Sequence, residues 1–173
     1  MEKYNKIRKY LSPVVILIIA LAVFTMFRGG GGPVKYDAAV GAPYEGLYEA
    51  DKMDSSGSYS DLRGANEFSV KMQWKTKDET IDHAELTDEY YLEWSADEHG
   101  IYALCEPDND MSALRDVSYT IKPGDILKLE LDVDSYFDGL PRGYYRFVKV
   151  MNVVRTDGAS ERQIVHFDFD LYD

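Results

Sequence analysis

Two hydrophobic patterns divide this chain of 173 residues. From Leu11 to Phe27 it reads LSPVVILIIALAVFTMF, with no charge and only Ser12 and Thr25 polar. Beyond about residue 66 the apolar positions recur every second residue instead. Phe68, Val70, Met72 and Trp74 alternate with Ser69, Lys71 and Gln73, which turns one face of a strand toward a core. Tyr90–Trp94 and Ile101–Cys105 predict a second pair of strands, joined by Ala96-Asp97-Glu98-His99-Gly100, a stretch of hairpin composition. Leu127, Leu129, Leu131 and Val133 alternate with Ile126, Lys128 and Glu130. Another strand runs from Tyr145 to Val154, followed by a Thr156-Asp157-Gly158 turn. Val165, Phe167, Phe169 and Leu171 share one face of the last strand. No long segment of helical period competes. About seven short strands predict an all-β domain, a two-sheet sandwich.

The uncharged run has a different destination. Seventeen helical residues span about 25 Å, close to what a bilayer core of ~30 Å requires. Tyr10, Phe24 and Phe27 mark its ends, and Pro13 falls in the first turn, where its missing N–H costs nothing. A cleaved signal peptide would need small residues soon after the apolar core. Here Thr25-Met26-Phe27-Arg28 follows instead, so the segment reads as an uncleaved signal anchor. Four Lys/Arg precede it closely and only Arg28 and Lys35 follow, which keeps the N-terminus inside and places the rest outside the cell membrane. The expected organisation is a basic cytoplasmic tail at 1–10, a single transmembrane span at 11–27 and a flexible linker at 28–43 opening on Gly29 to Gly32. An extracytoplasmic domain then fills 44–173, its first strand near Gly46–Met53.

Charge sharpens this division. The net charge is −12, but beyond residue 28 fourteen Lys/Arg face thirty Asp/Glu, a net −16. Such a surface repels nucleic acid and anionic headgroups and draws cations or a basic partner, although solubility alone accounts for it too. Cys105 is the only cysteine, so there is no intrachain disulfide and no Cys-based zinc cluster; it reads as a packed hydrophobe. A single cysteine and no Asn-x-Ser/Thr acceptor in an exported β-domain favour a bacterial envelope protein.

Thr120 to Val150, TIKPGDILKLELDVDSYFDGLPRGYYRFVKV, carries more than periodicity. Pro123-Gly124-Asp125, then Tyr136-Phe137-Asp138-Gly139-Leu140-Pro141, then Gly143-Tyr144-Tyr145-Arg146-Phe147-Val148-Lys149 follow one another in a recognisable order. The stretch resembles the C-terminal half of bacterial immunoglobulin-like domains of Gram-positive envelope proteins. Tyr91-Leu92-Glu93-Trp94 is similar to an upstream strand of that family. Phe137 beside Tyr136 departs from the family's Tyr-Gly, and no clear Asn closes the first strand at Gln73–Lys75. The resemblance covers roughly Glu67 to Leu171 and implies an immunoglobulin-like sandwich serving as a binding or spacer module, without chemistry of its own. In physical terms, Pro141 fixes φ, Gly143 permits a tight corner, and Tyr145 stands where a tyrosine corner hydrogen-bonds back to the preceding loop. Arg146 and Lys149 read as opposite-facing residues in surface ion pairs.

Catalytic signatures are missing from the sequence: no Gly-x-Ser-x-Gly elbow, P-loop, Gly-x-Gly-x-x-Gly or His-Glu-x-x-His occurs, and His83, His99 and His166 are far apart. Asp132, Asp134 and Asp138 do not make a calcium loop, since Tyr136 stands at the third ligand position. His166, Asp168 and Asp170 share a strand face, where neighbours lie ~7 Å apart, and are the weak candidates for a metal; a solvated charged face that discourages edge pairing is the favoured reading. No cofactor is implied. Beyond residue 28, twelve tyrosines with Trp74 and Trp94 could supply a surface for carbohydrate or protein, though most suit core and corners. The expected function is a non-enzymatic, membrane-anchored binding module. Its partners would be the bilayer through Leu11 to Phe27 and a protein or cell-wall component, not nucleic acid. The alternative is an accessory or sensory subunit that detects a ligand, peptide or cation beside a membrane partner.

Overall fold

A computed structural model of the chain describes residues 33–61 and 66–171. The span expected at Leu11 to Phe27 lies outside them, as do the tail expected to be cytoplasmic and the glycine run. Among the described residues no helix is long and apolar enough to cross a membrane.

The described chain is all-β, with ten strands in two sheets. They are β1 (Tyr48–Glu49), β2 (Met53–Asp61), β3 (Asn66–Trp74), β4 (Ile81–Thr87), β5 (Tyr91–Ser95), β6 (Ala103–Leu104), β7 (Ser118–Ile121), β8 (Ile126–Asp132), β9 (Gly143–Arg155) and β10 (Ser160–Leu171). A short 3-10 turn, Ser112–Arg115, precedes β7. The smaller sheet has the order β2-β3-β8. The larger follows β1-β10-β9-β4-β7, and β5 joins the same edge of β9 as β4, bringing β6 with it. Every pairing between strands is antiparallel except β1 with β10.

The two-residue period decides which side chains meet between the sheets. From β3, Phe68, Val70, Met72 and Trp74 enter a core shared with Leu129 and Leu131 of β8 and with Phe147, Met151 and Val153 of β9. Val165 and Phe167 of β10 join them. Rings dominate this core: Phe147 stacks on Phe167 at 5.0 Å and on Tyr90 at 5.5 Å, and Phe68 lies 5.5 Å from Phe147. A methyl group at Gly57 would run into the Phe167 ring, so β2 carries a glycine where it crosses that ring.

Three strands escape the period-2 reading for separate reasons. β2 reads MDSSGSYSD and has no apolar alternation. A bulge between Ile81 and His83 breaks the register of β4, and β7 has only four residues.

The larger correction concerns the N-terminal side. The linker expected through residue 43 is folded from Tyr36 onward: Tyr36, Ala39, Ala42 and Tyr44 are all buried. This strap doubles back on itself, with Tyr36 N–H donating to Leu47 O at 3.0 Å and Glu49 N–H to Val34 O at 2.8 Å. It covers the outer face of the larger sheet, where Val148 and Ile164 form a second apolar cluster with Tyr36, Ala42 and Tyr44.

Candidate functional site

The C-terminal motif builds a corner at the start of β9. Gly124 (φ +96) and Gly139 (φ +65) adopt left-handed conformations in the turns on either side of β8. At Pro123-Gly124 the turn closes onto β3, Gly124 N–H donating to Trp74 O at 2.7 Å. Leu140 packs against the core and Pro141 is exposed, presenting its carbonyl to the Tyr145 hydroxyl, which donates to it. Tyr145 is fully buried. Gly143 cannot be replaced cheaply: its φ is +148, and a Cβ would sit 2.7 Å from the Ser95 carbonyl oxygen and against the Trp94 indole. That indole donates to Arg142 O at 3.1 Å, tying β5 to the corner.

One turn of the pleat further, β9 and β5 hold a polar clasp beneath the strap. Glu93, opposite Arg146 across the β5–β9 ladder, has no exposure. Its Oε1 accepts from the Ala39 N–H at 2.8 Å and the Tyr44 hydroxyl at 3.0 Å, and its Oε2 from the Tyr36 hydroxyl at 3.0 Å. Arg146 Nη1 lies 3.9 Å from Oε2 and donates to Asp37 O at 3.3 Å, while its guanidinium sits 3.9 Å over the Tyr102 ring. Burial and the nearby Glu93 charge push both tyrosine hydroxyls well above their ordinary pKa, so they remain donors. Glu93 and the two tyrosine hydroxyls withdrawn from water here meet partners, the condition for burying them without a large penalty, whereas the buried Arg146 Nε has only the Asp168 charge at 3.4 Å.

The expected surface ion pairs of Arg146 and Lys149 need correction on the second residue. Lys149 is only 1% exposed on the inward side of β9, beside Phe147 and Met151. It lies where β4 has ended and β5 has not begun, and its Nζ donates to Glu89 O at 3.1 Å in that gap. Burial pushes the ammonium down to about 8, against the opposing charges of Asp88 and Glu89.

Nor do His166, Asp168 and Asp170 converge. His166 Nε2 lies 3.5 Å from Glu49 and its Nδ1 3.9 Å from Asp168, so the ring's two nitrogens face two different acids. Asp168 is engaged by Arg146 Nε at 3.4 Å, and Asp170 is exposed one pleat further along. Among the described residues no three His, Cys, Asp or Glu side chains are placed to hold a metal ion.

The sequence also gave no sign of a groove of about 540 Å³ beside β6. Its floor includes Tyr90 and Phe137, both buried, with Leu104, Cys105 and Met111 along the sides and Pro43 of the strap at one end. Burial raises the Cys105 thiol to about 11, which leaves it an unreactive wall. The rim is charged. Arg115 reaches Glu89 at 2.6 Å, while Glu106, Asp108 and Asp110 line the other side. That side is fixed in place: Asp108 N–H donates to Tyr136 O at 2.8 Å and the Asn109 side chain to Ser135 O at 2.9 Å. β6 pairs only with β5, so its far edge meets no strand among the described residues. Compared with known protein families, curated proteins and solved structures, the chain matches none.

Proposed function

We propose that the chain is a membrane-tethered, non-enzymatic binding module of the bacterial envelope, its outer domain an immunoglobulin-like sandwich that engages a partner through the groove beside β6. The groove carries this reading: an apolar floor, a fixed polar rim and a free strand edge lie together, a combination that protein-recognition sites reuse. The resemblance of Thr120 to Val150 to envelope domains and the corner contact of Tyr145 with Pro141 support the fold part. The expected anchor at Leu11 to Phe27 supports the localisation.

Photo-crosslinking in native membranes tests the proposal. A photoreactive residue at Glu106, on the groove rim, should give one dominant adduct, and the same residue at Lys128, on the exposed face of β8, should give none. Equal adducts from both positions, or none from either, would overturn it. An integral membrane protein in the adduct would assign the accessory-subunit form.

A further inference from the structure

Resting on the reading of the groove as a binding site, we infer that its occupant is a basic peptide segment in extended conformation. Three observations lead there. First, the chain already fills one position of the groove with a guanidinium: Arg115 Nε and Nη2 both contact Glu89 Oε1, at 2.8 and 2.6 Å. The rim of the groove therefore already accepts this chemistry.

Second, the rim carries more acid than base, Glu89, Glu106, Asp108 and Asp110 against Arg115. Glu106, Asp108 and Asp110 lie two residues apart in a stretch that no helix interrupts, and no Lys or Arg is paired with any of them among the described residues. Asp108 and Asp110 accept hydrogen bonds from neutral donors, the Asp138 N–H at 2.8 Å and the Ser112 N–H at 2.9 Å with its hydroxyl at 2.7 Å, and Asp110 also feels the Arg115 charge. The segment between β6 and Ser112–Arg115 is irregular, bending at Asp108 and Asn109, and carries a carboxylate at every second residue from 106 to 110. Third, Leu104 of β6 lines the groove and β6 pairs with no strand but β5 among the described residues, so an extended segment can add beside it. Its intervening side chains would rest on Leu104, Met111 and the Phe137 ring. The net −16 beyond residue 28 attracts a cationic segment from a distance of about a Debye length, ~10 Å.

The experiment uses the full chain in lipid nanodiscs and three probes: an alternating Lys-Val hexapeptide, an alternating Glu-Val hexapeptide and spermine. The Lys-Val peptide should bind saturably and shift the amide resonances of residues 89–91, 104–106 and 108–111. Its affinity should fall about tenfold in Glu106→Lys, and it should weaken as salt is raised. The Glu-Val peptide should leave the spectrum unchanged. Spermine shifts equal to those of the Lys-Val peptide would mean bare charge attraction and overturn the peptide assignment, as would no response to the peptide at all. Glu106 is exposed and holds no ion pair among the described residues, so its substitution should leave the fold intact. Failure here with a groove-specific crosslink from Glu106 removes the basic peptide and leaves the binding module; failure of both removes the module as well.

Discussion

Both sheets turn one face away from their shared core, and the chain treats those two faces in opposite ways. On the larger sheet the strap closes over Glu93 and withdraws it completely from water. On the smaller sheet Ser56, Lys71, Lys128 and Glu130 stand exposed, and Lys71 lies directly opposite Lys128 in the β3–β8 ladder. A like-charged cross-strand pair is tolerable there because water solvates both ammonium groups and screens them. The same charge density under the strap would be ruinous without partners. Covering a sheet face thus obliges the sequence to supply three donors for one carboxylate, whereas an open face needs only solubility.

The largest effect should come from emptying the clasp. Glu93→Ala leaves two hydroxyls and an amide N–H buried without an acceptor and should cost ~3–5 kcal/mol, whereas Lys71→Ala should change stability by less than ~0.5 kcal/mol. Thermal melts of the two variants decide this, and equal losses would abolish the contrast between the faces. Limited proteolysis should also show cleavage between residues 34 and 44 only in Glu93→Ala.

A smaller effect compares the two sides of β9. Tyr145→Phe strands the Pro141 carbonyl at the corner and should cost about 1–3 kcal/mol. Tyr144, half-buried on the opposite side, should lose clearly less when changed to Phe. A larger loss at Tyr144 would mean that the corner bond contributes nothing.

Lys149 allows a test by pH. Its folded pKa is depressed from 10.5 to about 8, so between those values the unfolded chain holds a proton that the folded chain has released. Stability of the wild type should therefore rise with pH across that window relative to Lys149→Met, by at most ~1.4 kcal/mol per pH unit. The buried tyrosines, whose pKa values are raised, titrate in both proteins and cancel in the difference. Denaturant melts from about pH 7.5 to about pH 9.5 measure it; a constant difference would place the ammonium in water. The smallest effect belongs to the open face, where Lys128→Glu turns a repulsive cross-strand pair into an attractive one and should gain a few tenths of a kcal/mol.

Much of the architecture was legible because period-2 alternation survives wherever a strand has one face on the core. Phe68 to Trp74, Leu127 to Leu131 and Val165 to Phe167 are in that position, and their facing was readable from sequence alone. The corner was legible too, since Pro141, Gly143 and Tyr145 act over four residues. The strap was not. Its Gly, Ala and Asp content has the composition of a tether, and Tyr36 and Tyr44 find their acceptor 57 and 49 residues away. Glu93 looked like any polar position in Tyr-Leu-Glu-Trp, because nothing local announces that a distant segment will cover it. Lys149 misled for a related reason: the gap between β4 and β5 that receives it exists only in three dimensions. The groove depends on the 105–116 segment, which has no periodicity to read.

The parallel pairing of β1 with β10 has a mechanical consequence. In neighbouring parallel strands, drawing the start of one away from the end of the other slides them past each other, and their hydrogen bonds share the load instead of parting in sequence. A force separating Pro33 from Leu171 acts on this chain in that sense, through Glu49 beside Ile164 and the Ala50 N–H on Ile164 O. Ahead of that short ladder along the line of force stands the clasp, where Tyr36, Ala39 and Tyr44 are all fastened to one carboxylate. Tension entering from the N-terminal side therefore loads the Glu49 N–H bond to Val34 O first and the three bonds to Glu93 after it, so the strap shares the load with the β1–β10 ladder.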